Sequence, residues 1–431
     1  MTQASIITIG DELLIGQVID TNSAWMAQQL NKAGIQVLRR IAVGDAWDQI
    51  WSALDEESKH TDIILITGGL GPTADDITKP LLNAYFKGNL VVNEAALQNV
   101  KDIFAKITTG QPLLSTNTKQ AEVPDNCTVI LNKKGTAPGM WFEKEGKIFV
   151  SMPGVPFEMK GMMEDFVIPE LSKHFSFPHI THRTLLTAGI GESFLAEIIK
   201  DFETSLPNHI KLAYLPNYGM VRLRLTSVGG NKDNAENEIQ LLFEKLQSLV
   251  KAYLVTNLDE PLEIVVGKLL SASNNTMCTA ESCTGGYIAH LLTAIPGSSS
   301  FYDGSVISYS YKAKEDLLNV SKALLETKGA VSEEVVIQMA EGALASIEAN
   351  YVIAVSGIMG PDGGLPDKPV GTVWIAVGDK HKIETKKLHF RFDRQRNTQL
   401  TATNALNMLR KFILAAQETK STNPLLLSVT G

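Results

Sequence analysis

Cysteine is scarce in this sequence: Cys127, Cys278 and Cys283 are the only three in 431 residues. An odd count without metal-ligand spacing argues against a disulfide framework and gives no sign of a zinc site. No run approaches the ~20 apolar residues that a membrane-spanning helix needs. The opening MTQASIITIGDELL lacks a basic n-region and a sustained apolar h-region, so the expectation is a cytoplasmic chain without a membrane partner. Long Lys/Arg clusters are missing too, and a formal net charge of -8 opposes nonspecific binding to nucleic acid because an acidic surface repels phosphates. Low-complexity blocks are absent, and 44% hydrophobic with 20% charged residues is a globular composition. A small-molecule substrate is the expectation.

What is present is a repeated alternation of strand and helix patterns. SIITIG reads as a strand, followed by a helix capped by Thr21 or Asn22 and closed by Gly34. DIILIT is a buried-strand pattern, GGLGPTADD a Gly-rich loop, and ITKPLLNAYF a helix, which together predict a parallel α/β sheet. The pattern shifts after residue 171. Val221, Leu223 and Leu225 alternate with Arg222 and Arg224 in a strand between two helices, a small α+β unit over 172–255. From 256 to 418 the α/β alternation returns: strands TMCTA, SVISYSY, YVIAVSG and GTVWIAV among four helices, the last near TATNALNMLRKFILAAQ. The fold expected is two three-layer α/β/α domains, 1–171 and 256–418, joined by the small unit, with a loosely held tail over 419–431.

AESCTGG, residues 280–286, places three candidate nucleophile types or their neighbours between a strand and a helix. Loop N–H groups and a helix dipole there would favour an oxyanion. Ser282 lacks the usual base: His290 lies inside the following helix, and His381 and His389 lie in a late strand-like stretch. A lysine of lowered pKa is the alternative base, with Lys312 and Lys314 as candidates and Tyr309 as a proton relay. Cys283 is an equal rival to Ser282, since a thiolate at a helix N-terminus is stabilised. The glycines Gly357, Gly360, Gly363 and Gly364 of SGIMGPDGG would let backbone approach a nucleotide, with Ser356 as a polar contact and Arg394 or Arg396 as phosphate partners.

AESCTGG, PGSSSFYDGSVISYSYKAK, KGAVSEEVVIQMAEGA, VSGIMGPDGG and KPVGTVWIAV together resemble the CinA C-terminal family, the bacterial nicotinamide-nucleotide amidases. The resemblance implies hydrolysis of nicotinamide mononucleotide (NMN) to nicotinate mononucleotide and ammonia through a serine acyl-enzyme, without a cofactor. Carried onto this chain, it implies Ser282 as nucleophile, Lys314 as base and Tyr309 as its assistant, with N–H groups from Cys283, Thr284, Gly285 and Gly286 holding the oxyanion. The family pattern YSNxAK is broken here by Tyr311, which stands where asparagine is expected.

In the first domain, the glycines Gly68, Gly69 and Gly71 with Thr73 can cradle phosphate, and Asp75 with Asp76 can hold a divalent cation; the Lys-Ser/Thr ending of a Walker A loop is missing. IGDELLIGQVIDTN, TGGLGPTADD, NTKQAEVP and MPGVPFEMK resemble the molybdopterin-binding-like domain that begins full-length CinA proteins. This implies a metal-dependent ADP-ribose pyrophosphatase yielding AMP and ribose 5-phosphate, with Asp11, Asp75 and Asp76 as ligand or base candidates and Glu12 and Glu158 as further acids. The middle unit resembles the family's KH-like linker, though no GXXG loop in basic surroundings is found, which points to a spacer or dimerisation role. A homodimer with two nucleotide substrates is the expectation. A nucleotide- or pterin-binding regulator without turnover, and an amidase with a silent first domain, are the alternatives.

Overall fold

The computed structural model describes residues 2–73, 76–107, 118–175, 177, 179–229 and 232–421. The chain forms two compact units, Met1–Thr181 with Val228–Ala235, and His182–Ser227 with Glu236–Gly431.

The first unit is built on strands β1 (Gln3–Ile9), β2 (Gln36–Val43), β3 (Ile63–Thr67), β4 (Leu90–Val92), β5 (Glu122–Pro124), β6 (Thr128–Ile130), β7 (Gly139–Lys144) and β8 (Lys147–Met152). Its main sheet runs β2-β1-β3-β8-β7-β6, parallel from β2 to β8 and antiparallel at β7 and β6, while β4 and β5 form a separate ribbon. The parallel sheet expected from the sequence is formed by β2, β1, β3 and β8, and β7 and β6 extend it antiparallel, because the tight turn at Glu145–Gly146 leaves no room for a crossover helix. β3 is buried on both faces, as IILIT requires. Met26, Leu30 and Met159 pack against one face, and Ile50, Leu54, Leu81 and Phe149 build the core on the other. Asp20 caps the first long helix by accepting from the Ser23 N–H, so Thr21 and Asn22 are its first helical residues.

The second unit holds two sheets. Strands β9 (Ile180–Ala188), β10 (Ile210–Asn217), β11 (Met220–Val228) and β12 (Leu254–Thr256) form one in the order β10-β11-β9-β12. Strands β13 (Met277–Glu281), β14 (Tyr302–Ile307), β15 (Tyr351–Gly357), β16 (Thr372–Gly378) and β17 (Ile383–His389) form the other, in the order β14-β13-β15-β16-β17. The first three of the second sheet are parallel, and β16 and β17 are antiparallel additions. Leu186, Ala188 and Val255 of the small sheet share one core with Leu262, Ile288, Leu406 and Ile413. The α+β segment is therefore packed into this unit and is not a free spacer. The last helix runs from Arg394 to Ser421, so residues 419–421 are helical; the rest of the expected tail, 422–431, lies outside the described residues.

On the opposite face of β13 and β15, helix Glu333–Ile347 crosses helix Tyr311–Leu318 so closely that a Cβ at Gly342 would lie 2.1 Å from the Leu318 carbonyl oxygen. Gly342→Ala is expected to destabilise the fold by about 1–3 kcal/mol, the usual cost of overpacking a tight core. A thermal midpoint unchanged in a melt against wild type would contradict it.

Candidate functional site

The C-terminal ends of β13 and β15 carry the residues singled out by the sequence. Ser310 caps helix Tyr311–Leu318 by accepting from the Ala313 N–H, which sets the register so that Lys314 points inward and Lys312 outward. Lys312 pairs with Asp316 in solvent, whereas Lys314 is fully buried. Lys314 Nζ lies 2.9 Å from Ser282 Oγ, 2.6 Å from the Ser308 carbonyl oxygen and 3.3 Å from that of Tyr309. Burial lowers the Lys314 ammonium to about 8, since no carboxylate is paired with it. In the neutral amine, the two carbonyls accept its two protons and the lone pair is left facing the Ser282 hydroxyl. That geometry is what a general base for a serine nucleophile requires.

Cys283 is 7% exposed and belongs to the apolar core. Burial pushes its thiol up to about 12, opposite to the thiolate expected at a helix N-terminus. The helix end is, besides, already taken. Glu281, fully buried, accepts from Thr284 Oγ1 at 2.6 Å and from the N–H groups of Gly286, Ile288 and Ala289 at 3.1, 3.1 and 2.8 Å. Elsewhere in the loop, Ser282 N–H donates to Val355 and Gly285 N–H to Ser282. Among the described residues, only the loop N–H groups of Cys283 and Thr284 donate to no other residue. The four-donor oxyanion site expected over 283–286 reduces to these two, and the Thr284 side chain faces Glu281.

A cleft of about 250 Å³ opens over Ser282 and Cys283, walled by Ala330, Ser356, Gly357, Gly360, Gly363 and Arg394. Tyr309 also lines it, yet lies past the end of β14, not on that strand. Its hydroxyl accepts from Arg394 at 3.2 Å, so Ser282 and Lys314 meet directly with no tyrosine between them. Arg394 also donates to the Gly360 carbonyl at 3.0 Å and makes no ion pair among the described residues. Arg396 stacks over the Phe392 ring, 4.0 Å from its centroid, and is not the cleft arginine. Ser356 donates to the Ala330 carbonyl at 2.7 Å, and Gly364 packs against Val370 outside the cleft. Tyr311, in the expected asparagine position, accepts from the Ala330 N–H at 3.3 Å and so ties the helix bearing Lys314 to the cleft wall.

Glu281 and the Arg394–Tyr309 pair were missed by sequence reasoning. A carboxylate ending an otherwise apolar strand just before Ser-Cys-Thr-Gly-Gly was the available signal, because burial there demands donors.

In the first unit, the crevice beyond β1 and β3 is where the sheet order reverses, the usual ligand position in open α/β sheets. A Cβ at Gly68 would lie 2.2 Å from the Ile9 carbonyl oxygen and one at Gly69 2.1 Å from Thr78 Oγ1, so both glycines serve close packing. Asp76 accepts from the N–H groups of Gly71 and Thr73 at 2.7 and 2.9 Å and from the Thr73 hydroxyl. The cradle expected for phosphate thus holds a carboxylate of its own chain. Asp11 and Asp45 exchange backbone-to-carboxylate bonds of 3.1 and 3.2 Å. Glu158, raised by burial, accepts from Asn132 at 2.6 Å, and the Glu12 carboxylate folds back over Gly10. Asp75 lies outside the described residues. Among the described residues no group of three His, Cys, Asp or Glu side chains is arranged to hold a metal; the expected set of Asp11, Asp75 and Asp76 includes one residue outside them. No helix among them is long and apolar enough to cross a membrane.

Comparison with known proteins matches residues 259–413 to the CinA C-terminal domain, 5–173 to a family described as "Probable molybdopterin binding domain", and 182–256 to the damage-inducible protein CinA KH domain. The chain is 46% identical over 408 residues to a CinA-like protein of Cytophaga hutchinsonii, covering 95% of this chain and 97% of that one. A CinA-like protein of Flavobacterium psychrophilum is 43% identical over 417 residues, covering 96% and 99%. The crystal structure of the competence damage-inducible protein A (ComA) from Klebsiella pneumoniae is 38% identical, covering 36% of this chain and 95% of that one, with a TM-score of 0.35.

Proposed function

The chain belongs to the CinA family, and on that premise we propose that its C-terminal half is a serine amidase hydrolysing NMN to nicotinate mononucleotide and ammonia. The observation that supports it is the buried, uncompensated Lys314 amine 2.9 Å from Ser282 Oγ. Ser282 Oγ attacks the carboxamide carbon as Lys314 Nζ takes its proton. The oxyanion forms against the Cys283 and Thr284 N–H groups. Lys314 then gives the proton to the departing nitrogen, which leaves as ammonia, and water attacking the acyl-enzyme through the same base frees the acid and restores the serine. The test is ammonia release from NMN by the purified protein; none at any pH from 7 to 9 would end this reading.

Arg394, held among the described residues by the neutral Gly360 carbonyl and Tyr309 hydroxyl, is the group to receive the substrate phosphate. Arg394→Ala is expected to raise KM for NMN roughly 10- to 100-fold with little change in kcat, a loss of charge-assisted bonds worth about 1.5–3 kcal/mol. The variant should also cease to prefer NMN over its dephosphorylated riboside; an unchanged preference would place the phosphate elsewhere.

For the first unit the proposal is hydrolysis of ADP-ribose to AMP and ribose 5-phosphate in the crevice beyond β1 and β3. The support is family membership and the position of the Gly-rich loop. The described side chains alone do not supply a metal set. AMP formation from ADP-ribose, followed with Mg²⁺, with Mn²⁺ and with chelator, tests it. Asp76→Ala, which frees the Gly71 and Thr73 N–H groups, is expected to change the rate severalfold or more; AMP absent in all three conditions leaves binding without turnover. A homodimer, read as a mass near twice 46.9 kDa by light scattering, belongs to the same proposal.

A further inference from the structure

Glu281 has a place in the dyad that ordinary helix capping does not explain. The helix it serves, Tyr287–Thr293, begins at Gly286, whose positive φ of 97° leaves no side chain to act as cap. The cap comes instead from five residues upstream, so that residues 281 and 286 are fastened together and the turn bearing Ser282 is closed into a ring. Through its backbone, the same residue accepts from the Ser308 N–H at 2.9 Å, and the Ser308 carbonyl accepts from Lys314 Nζ. One residue thus grips both halves of the dyad.

Its side chain also decides which N–H groups stay free. Five donors end on the carboxylate: Thr279 Oγ1, Thr284 Oγ1 and the N–H groups of Gly286, Ile288 and Ala289. Among the loop N–H groups from 282 to 286, those of Cys283 and Thr284, next in the chain to the nucleophile, donate to no other residue, and Cys283 lines the cleft. Resting on the serine-amidase reading above, we infer that Glu281 is a positioning residue that builds the oxyanion site. It holds the 282–286 turn so that two N–H groups converge. Without it the turn can rotate and the two N–H groups lose their alignment to the nucleophile.

The test uses a fluorophosphonate probe, whose phosphoryl oxygen needs the same donors when Ser282 displaces fluoride, and which does not depend on the natural substrate. Glu281→Gln keeps the size but turns donors toward donors; it is expected to slow Ser282 labelling at least tenfold, and to lower kcat on NMN similarly with KM within about threefold, as loss of oxyanion donors does. Thr284→Val should slow labelling and Thr284→Ser should restore it, because only the hydroxyl matters to Glu281. A folded Glu281→Gln labelled at the wild-type rate overturns the inference, as does a serine at 284 that performs no better than valine. If Glu281→Gln does not fold, the Thr284 pair decides. Wild type that labels at Ser282 but leaves NMN intact overturns the substrate assignment and leaves this inference standing; wild type that never labels overturns this inference.

Discussion

Lys314→Met is expected to abolish NMN hydrolysis and, at pH 7, to leave the protein at least as stable as wild type. The loss follows from removing the base that, among the described residues, lies within reach of Ser282; the rate should fall by at least about 10³-fold, as when a nucleophile loses its proton acceptor. The stability follows from linkage. In the folded chain the amine is lowered from 10.5 to about 8, so between these values the unfolded chain binds a proton that the folded chain does not. Wild-type stability therefore rises as pH climbs from 8 to 10.5, and below 8 the full burden of burying the ammonium is present, on the order of 3 kcal/mol. Methionine carries none of it, although the Ser308 and Tyr309 carbonyls lose a donor, a cost of about 1 kcal/mol or more each. The advantage of the variant should shrink across that window. Denaturant melts of both proteins at pH 7, 9 and 10 measure it; a difference that does not move with pH would show that Lys314 is not depressed. The same depression predicts a wild-type rate that rises through about pH 8 and then levels, since Cys283 does not titrate until about 12.

Ser282→Ala is expected to remove at least about 10³-fold of kcat, while Cys283→Ala keeps activity within severalfold. The contrast rests on surroundings rather than residue type. Ser282 Oγ faces the lysine and the cleft, whereas the Cys283 side chain packs in a core with Ile288 and Val355 and contributes its backbone N–H. Steady-state ammonia release from NMN, backed by the intact mass of any acyl-enzyme, reads the outcome. If Cys283→Ala is dead and Ser282→Ala survives, the chemistry is a thiolate's and the base assignment falls with it.

The alternation of apolar strands with capped helices made both three-layer domains legible in the sequence, since each element's burial follows from its own period. What pairs at a distance was not. The reversal of β17 against β16 depends on a short turn at Asp379–Lys382, that of β16 against β15 on the loop 358–371, and the strand patterns look like any others. The residues alone left Lys312 and Lys314 level; the register set by Ser310 separates them. Arg394 and Arg396 differ by two positions on one helix, about 200° around its axis, which is enough to send one to the cleft and the other over Phe392. Asp76 shows what a motif leaves out: an acid in a Gly-rich loop reads as a metal ligand, and nothing in the pattern says that the loop's own N–H groups also reach it. That the middle segment shares a core with the domain after it was not legible either, because Leu186, Ala188 and Val255 find their apolar partners far along the chain.

The helix Arg394–Ser421 is 28 residues long, roughly 40 Å from end to end. Its first residue reaches the cleft, and one turn and a half later Leu400 lies against Gly219 at the tip of the β10–β11 hairpin. The last helix is therefore a ruler laid between the reaction centre and the far side of its domain. A dye placed on its distal turns would sit beyond the reach of substrate, yet any tilt that frees Arg394 from Tyr309 would swing that dye through several ångströms, a displacement that energy transfer can register turnover by turnover.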